Sequence, residues 1–541
     1  MPISLAAVTT RTLELTPAWG SAPARLRATW RASLIALAVA VLFFVYWRES
    51  LSAAANSDSA ASALQAWDML HGNVLLHGWW MSDVSFYSTE LPQYALLELV
   101  GGFGTWVVHV AAAMTYTLIV VLAALLAKGR SSGREGLARA LLAAGIAMSP
   151  QVSGALIMLL GPDHTGTVVP VLAMWLYIDR ARPSRFVPPV VCLLLTWIMV
   201  ADSVVLFTGI VPLVAAGVGR AFRPHAERRH ELSLAAAAVL AAGLGTLIPK
   251  VMVWLGGYQV YRFQTRTMPL ARLPHDAWDM AQAVLELFGA NEFEPHSPVE
   301  AVLVGLHVAG VMLALGALVV AVRRFFREDT ILVPALAVSI VVALGAYLIS
   351  IHSRNLASIR EIVAVMPFGA VLAGRLLAVP LLTTSLAAWR RGPRLWLVPV
   401  AAVVVAGYLG AMVYGASRPA VPSANQGLAT WLEQHGLRDG LAAYWEAGSV
   451  TLDTGGRVAV SGVITGRHGR VIGYNWETDL SEYDPSRHTA TFVVTGGPAA
   501  DVPLPGLDQA ARRTFGAPDR VYRVQSYTVL VWTHNLLRDL R

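Results

Sequence analysis

The sequence holds one cysteine, Cys192, only two lysines, Lys128 and Lys250, and few charges of either sign: 14% of 541 residues, against 55% hydrophobic. A lone cysteine excludes an intramolecular disulfide, so any folded domain must stand on its own apolar core. Cys192 falls within an apolar run and reads as a buried structural thiol. So little charge, with a mean hydropathy of +0.55, excludes a chain of ordinary soluble domains. No Gly-rich phosphate loop occurs, which speaks against chemistry driven by cytosolic ATP or a nucleotide sugar. Of the 41 Lys+Arg all but the two lysines are Arg, a bias that resembles a GC-rich bacterial genome and points to a bacterial plasma membrane.

What is present is a series of apolar runs. A helix needs roughly 17 to 25 apolar residues to cross a bilayer core of about 30 Å. Eleven segments approach this: 31–47, 103–127, 137–160, 167–178, 187–200, 204–218, 232–256, 299–322, 330–350, 362–382 and 395–415. The expected fold class is therefore an α-helical polytopic membrane protein of about eleven spans. With the N-terminus inside, the tail and inward loops hold 21 of the 41 basic but only 7 of the 34 acidic residues. The outward loops hold 7 basic and 15 acidic residues. The positive-inside rule then orients the chain, with a cytoplasmic tail (1–30), a multi-pass domain (31–415) and an extracytoplasmic C-terminal domain (416–541). No basic stripe survives on one surface, so nucleic acid is excluded as a partner. The first span, its Arg-rich flank and the small residues at 52–55 also resemble a cleavable signal, but the preceding tail is long for one.

Function is expected in the long outward segments 48–102, 257–298 and the C-terminal domain. The C-terminal domain reads as a helix over 425–437 followed by β-branched, alternating runs at 449–452, 457–461, 470–474, 489–494 and 522–532, a small α/β or mainly β domain. Its aromatics Tyr444, Trp445, Tyr474, Trp476, Tyr483 and Trp532 could stack on sugars or pack a core.

The first outward segment concentrates Asp58, Asp68, Asp83 and Glu90 among aromatics. Apolar Ala63, Leu64, Trp67 and Leu70 at helical spacing predict a helix along the membrane surface, which would hold Asp58 at the bilayer boundary. A carboxylate there can act as a general base. The alternative is that Asp58 or Ser59 caps that helix. The turn Gly161-Pro-Asp-His-Thr-Gly brings Asp163 and His164 between two spans. That pair could meet an acceptor hydroxyl or sugar, or simply build a turn, and a metal needs more ligands than two. Asp202, Asp276 and Asp279 have weaker claims. Cations near the outer boundary are sparse: Lys250, Arg262, Arg266, Arg354 and Arg360. They can hold a lipid phosphate or merely snorkel to headgroups.

A transmembrane helix followed by a long outward loop, with an acidic residue soon after the membrane, resembles the GT-C glycosyltransferases, which include protein mannosyltransferases and lipid A aminoarabinose transferases. The sequence around Asp58, Asp68-Met-Leu-His-Gly-Asn and Ser85-Phe-Tyr-Ser-Thr-Glu-Leu carries the likeness, over about the first 380 residues. The Asp-Glu pair of the mannosyltransferases is missing, which leaves the acceptor class open. The resemblance implies a polyprenyl-phosphate-linked sugar as donor, transfer with inversion, Asp58 as catalytic base and Arg360 as a phosphate contact. Arg354, Lys250 and Arg262 are further candidates for the phosphate, and Asp68, Asp83, Glu90, Asp163 and His164 for the acceptor or sugar. The expected partners are membrane lipids and a cell-envelope glycan or protein acceptor. No metal ligands are assigned and no cofactor is required, with a divalent cation left open. The rival is a non-enzymatic transporter of lipid-linked glycans, against which the nearly clean spans argue, since a mid-bilayer charge costs roughly 2.5–3.5 kcal/mol.

Overall fold

The computed structural model describes residues 24–148, 157–159, 164–223, 227–261, 267–291, 298–350, 356–381, 383, 397–497 and 506–540. Helix α1 (Ala24–Ser50) leads into a long loop holding α2 (Ser57–Leu70), β1 (Trp79–Met81) and α3 (Glu90–Gly101). Helices α4 (Trp106–Lys128), α5 (Gly133–Ala147), α6 (Thr165–Arg180), α7 (Val187–Ala201), α8 (Val211–Ala221) and α9 (Arg228–Trp254) follow. A second long loop carries β2 (Gln259–Val260) and α10 (Leu273–Leu287). The bundle is completed by α11 (Pro298–Arg323), α12 (Leu332–Ile349), the 3-10 turn Leu356–Ile362, α13 (Val365–Leu376) and α14 (Leu397–Ser417).

Each of the eleven apolar segments overlaps a helix, yet only five of those helices are long and apolar enough to cross a bilayer among the described residues. Three more, Val187–Ala201, Leu206–Ala221 and Val403–Ser417, are apolar but shorter. At 1.5 Å per residue, the fifteen residues of α7 reach only about 22 Å. The protein is a multi-pass helical membrane protein whose helices differ in length. Helix α13 lies at its centre, with every residue from Val365 to Gly374 buried. Such a helix needs close neighbours, and Gly374 supplies the approach: a Cβ there would lie 2.6 Å from the Arg139 carbonyl oxygen and 2.8 Å from the Ala127 methyl. Three prominent polar side chains inside the bundle find partners within it, as lipid favours. Tyr46 and Tyr116 meet edge to face at 4.7 Å and donate to the Met148 and Ala147 carbonyls at the end of α5. Arg375, a charge within a span, donates to the Leu126 carbonyl at 2.8 Å and pairs with buried Asp179 at 2.5 Å.

The C-terminal domain consists of α15 (Gln426–Gln434), β3 (Asp439–Ala442), α16 (Tyr444–Asp453), β4 (Ala459–Thr465), β5 (Val471–Gly473), β6 (Thr478–Asp479), β7 (Phe492–Gly496), α17 (Leu507–Phe515), β8 (Arg520–Val524) and β9 (Tyr527–Val531). It is an α/β domain: a mixed sheet in the order β5-β4-β3-β7-β9-β8, with β3 parallel to both neighbours. Strand alternation sorts β7. Phe492 and Val494 join Leu428, Leu432 and Val450 under α15 and α16, while Val493 joins Ala511 and Phe515 under α17.

Three local expectations are corrected here. Residues 449–452 are helical, because Val450 packs against the sheet and Leu452 against the Ala60–Ala66 face of α2, so tertiary burial overrides a β-branched run. The run 522–532 is a hairpin, broken at Gln525, whose φ of 52° turns the chain. The face of α2 expected against the membrane is divided among protein partners: Ala63 packs with Tyr94, Val107, Val108 and Leu452, Leu64 with the cluster of Leu76 and Trp79, and Trp67 lies against Phe103, while Leu70 stays exposed.

Strand β1 pairs with β2 in parallel and with β6 antiparallel, in the registers Trp80 with Gln259 and Trp80 with Thr478. Three segments far apart in sequence, two loops and the C-terminal domain, thus meet at one mouth of the bundle.

Candidate active site

Asp58 stands in the first turn of α2, and the cap of that helix is neither Asp58 nor Ser59. Asn56 accepts from the Ser59 amide at 3.0 Å, while Ser59 Oγ accepts from the Asn56 amide at 3.1 Å, a reciprocal capping box. The Asp58 carboxylate is therefore free of backbone duty. Its Oδ1 accepts the Tyr444 hydroxyl at 2.6 Å, and its Oδ2 lies 4.0 Å from Arg360 Nη1. About a third of the side chain, 32%, stays accessible. Burial raises its pKa, and the Tyr444 hydrogen bond and Arg360 oppose that rise without cancelling it.

Tyr444 opens α16, so the C-terminal domain reaches the carboxylate of the first loop directly. A second carboxylate from the same domain lies close by. Glu477 has a φ of 48°, a left-handed conformation costly for a non-glycine residue, and is held there by two donors. Its Oε1 accepts the Ser82 amide at 2.9 Å and its Oε2 the Gln65 amide group at 2.6 Å. Burial pushes its pKa up to about 7, and the Asp58 charge adds to the rise. Tyr444 feels both carboxylates after burial, and its own pKa is held well above the ordinary phenol value. Half-buried rings frame this group: Tyr474 lies 5.8 Å from Tyr444, and Trp476 lies 5.4 Å from Tyr261.

Arg360 and Glu361 leave the 3-10 turn for different partners. Glu361 Oε2 lies 3.2 Å from His164 Nε2, whose Nδ1 is 2.8 Å from Asp202 Oδ2. Asp202 also accepts the Val204 amide at 2.8 Å. Burial pulls the His164 pKa down, but the carboxylates on both nitrogens outweigh it and hold the imidazole protonated. The turn that presents Arg360 is thereby tied to the start of α6, at His164, and to the end of α7, at Asp202. Beneath it sits Glu90, buried, bonded by the Thr89 hydroxyl and pushed by burial up to about 8. Gly166 leaves it room, since a Cβ there would lie 2.1 Å from Glu90 Oε1.

No family model matches the chain, and no curated protein matches it by sequence. Solved structures do match. ArnT from Cupriavidus metallidurans bound to undecaprenyl phosphate superposes with a TM-score of 0.53 at 12% identity, over 93% of this chain and 98% of that one. The apo state of the same protein gives 0.51 at 14%, with the same coverage. An oligosaccharyltransferase from Archaeoglobus fulgidus is more distant, with a TM-score of 0.48 at 13% identity over 88% of this chain and 70% of that one.

The chain has a GT-C-type fold. Within this GT-C bundle the candidate residues separate. Asp58 and Arg360 come together. Asp68 is engaged away from them, accepting from Asn73 at 2.6 Å and from the Trp79 indole at 2.8 Å. Asp83 is exposed, and Glu90 and His164 belong to the buried support under Arg360. Lys250 is exposed on α9, and no ion pair joins it to Asp58 among the described residues. Asp163, Arg262 and Arg354 lie outside the described residues. Among the described residues no group of three His, Cys, Asp or Glu side chains is arranged to hold a metal. Trp532 and Tyr483 are packing residues: Trp532 lies against Phe515 at 5.7 Å, and the Tyr483 hydroxyl donates to the Gly462 carbonyl. Sequence reasoning missed Glu477 and Glu361. The first sat in plain view after Trp476, the second beside Arg360; neither has a local pattern that marks it.

Proposed function

We propose that the protein is a membrane glycosyltransferase that moves a sugar from a polyprenyl-phosphate-linked donor to an acceptor on the outer face of a bacterial plasma membrane. The observation that carries this reading is the approach of Asp58 to Arg360 at 4.0 Å, with Tyr444 on the carboxylate. On this reading residues 1–30 are a cytoplasmic tail, 31–415 the catalytic GT-C domain and 416–541 an extracytoplasmic domain closing over the site. A donor displayed on that face suits a chain without a nucleotide loop. ArnT, which shares the fold, has been solved with undecaprenyl phosphate bound.

Asp58 accepts the proton of an acceptor hydroxyl as that oxygen bonds to the anomeric carbon. The bond from this carbon to the phosphate oxygen breaks, and its electron pair leaves with polyprenyl phosphate. One displacement inverts the anomeric centre. The raised pKa of Asp58 moves it toward the operating pH of a general base, a contribution typically worth about 10²- to 10⁴-fold. Arg360 meets the charge growing on the leaving phosphate, fixed in advance by the Glu361–His164–Asp202 chain. Glu477 and Tyr444 are positioning residues that hold the C-terminal domain and Asp58 in register, and Trp476 and Tyr474 offer stacking surfaces for a sugar.

The test uses the full chain in liposomes with a panel of labelled polyprenyl-phospho-sugars and reads release of polyprenyl phosphate. Asp58→Asn should abolish release while inserting normally; undiminished release by this variant sinks the assignment. Lipid moved across the vesicle chemically unchanged would favour the transporter instead.

A further inference from the structure

At the mouth of the bundle opposite Asp58, the ends of α4 and α6 and the starts of α5 and α12 surround a cavity of about 480 Å³. Three guanidinium groups, Arg130, Arg139 and Arg375, line it with the hydroxyl-bearing Ser131 and Thr330. Asp179 is the single carboxylate in the lining, so three positive charges face one negative. Glu135 pairs with Arg139 at 2.6 Å from outside the lining.

The groups are prepared for an anion. Arg375 is immobilised by Asp179 and the Leu126 carbonyl, and Arg130 by the Arg180 and Ala181 carbonyls at 3.1 and 3.2 Å. Arg139 Nε and Thr330 Oγ1 are buried and have no hydrogen-bond partner. A buried donor without a partner is costly, and a tetrahedral oxyanion has acceptors for both. Arginine clusters suit phosphate because each guanidinium offers several donors in one plane. The remaining wall is apolar, formed by Ile178, Pro183, Ile331 and Leu332. Hydrocarbon beside a cationic pocket fits a lipid better than a free ion.

We propose that this cavity binds the phosphate of an anionic lipid headgroup, on the face opposite the candidate active site. The site is independent of the transfer reaction, because none of its residues touches the Asp58 group.

The full-length protein, purified in detergent, is offered phosphatidylglycerol, phosphatidylcholine or inorganic phosphate, and bound ligand is counted by native mass spectrometry. Phosphatidylglycerol should be retained about tenfold more than phosphatidylcholine, the ratio expected of a charge-assisted contact. Arg130→Gln with Arg139→Gln should erase that preference, and Thr330→Val should weaken it less. The thermal midpoint of each variant separates loss of the site from loss of the fold. Equal retention of the two lipids, or an unchanged preference in a folded double variant, overturns the proposal. Inorganic phosphate bound by the wild type and lost in the variant, with no lipid preference, would assign the cavity to a soluble phosphate and overturn the lipid.

Discussion

The two mouths of the bundle carry opposite chemistry on the same helices. At one mouth carboxylates dominate: Asp58, Glu90, Asp202, Glu361 and Glu477 gather round Arg360 and His164. At the other, three arginines line a cavity with one carboxylate. The difference lies less in charge than in how the charge is held. Arg375 and Asp179 form a nearly closed pair, with side chains 9% and 4% exposed, and have a structural role. Asp58 and Arg360 approach only to 4.0 Å and remain 32% and 27% exposed, which leaves both groups accessible from outside the pair.

This contrast can be broken first by removing charge at the active mouth. Asp58→Asn should lower transfer by at least about 10²- to 10⁴-fold with no loss of folding, read as polyprenyl phosphate released in liposomes. Arg360→Gln should cost about 10²- to 10³-fold in kcat, the usual range for one lost oxyanion donor. At the opposite mouth the outcome should invert. Asp179→Asn leaves Arg375 buried without its counter-charge, a loss of about 3–5 kcal/mol, seen as a lower thermal midpoint with per-molecule transfer retained.

Smaller changes sharpen the comparison. Tyr444→Phe removes a hydrogen bond that lowers the Asp58 pKa, so that pKa rises further. The acidic limb of the pH–rate profile should then move to higher pH, with about a tenfold loss in rate at acidic pH. Glu477 gives the mildest effect. Its folded pKa of about 7 exceeds the ordinary carboxylate value of 4.5, so the folded state binds more protons between those values. Stability of the domain contact should fall as pH rises from about 4.5 to 7 and level off above. Glu477→Gln should flatten that slope, measured by limited proteolysis between the bundle and the C-terminal domain.

Much of the architecture was legible because lipid imposes a local rule: a segment that crosses must be apolar along its whole length. Charge between segments is equally local. Asp58 stood out as an acid soon after the first span, ahead of a helical run, and Arg360 through a likeness to GT-C enzymes. The C-terminal domain was read less well. Val450 and Leu452 lie in a β-branched run, but their burial against the sheet and α2 makes that run helical. Strand β3, at the centre of the sheet, is short and glycine-bearing, and had no signal of its own.

By itself the sequence determined the membrane class, the multi-pass helical pattern and a short roster of acids and cations, since each depends on neighbours within about twenty residues. Only the tertiary structure decided which of them meet. Gln65 and Glu477 are 412 residues apart, and Tyr444 is 386 from Asp58. Contacts at such separation are set by helix packing and by the small β2-β1-β6 sheet that draws two loops and the C-terminal domain to one mouth.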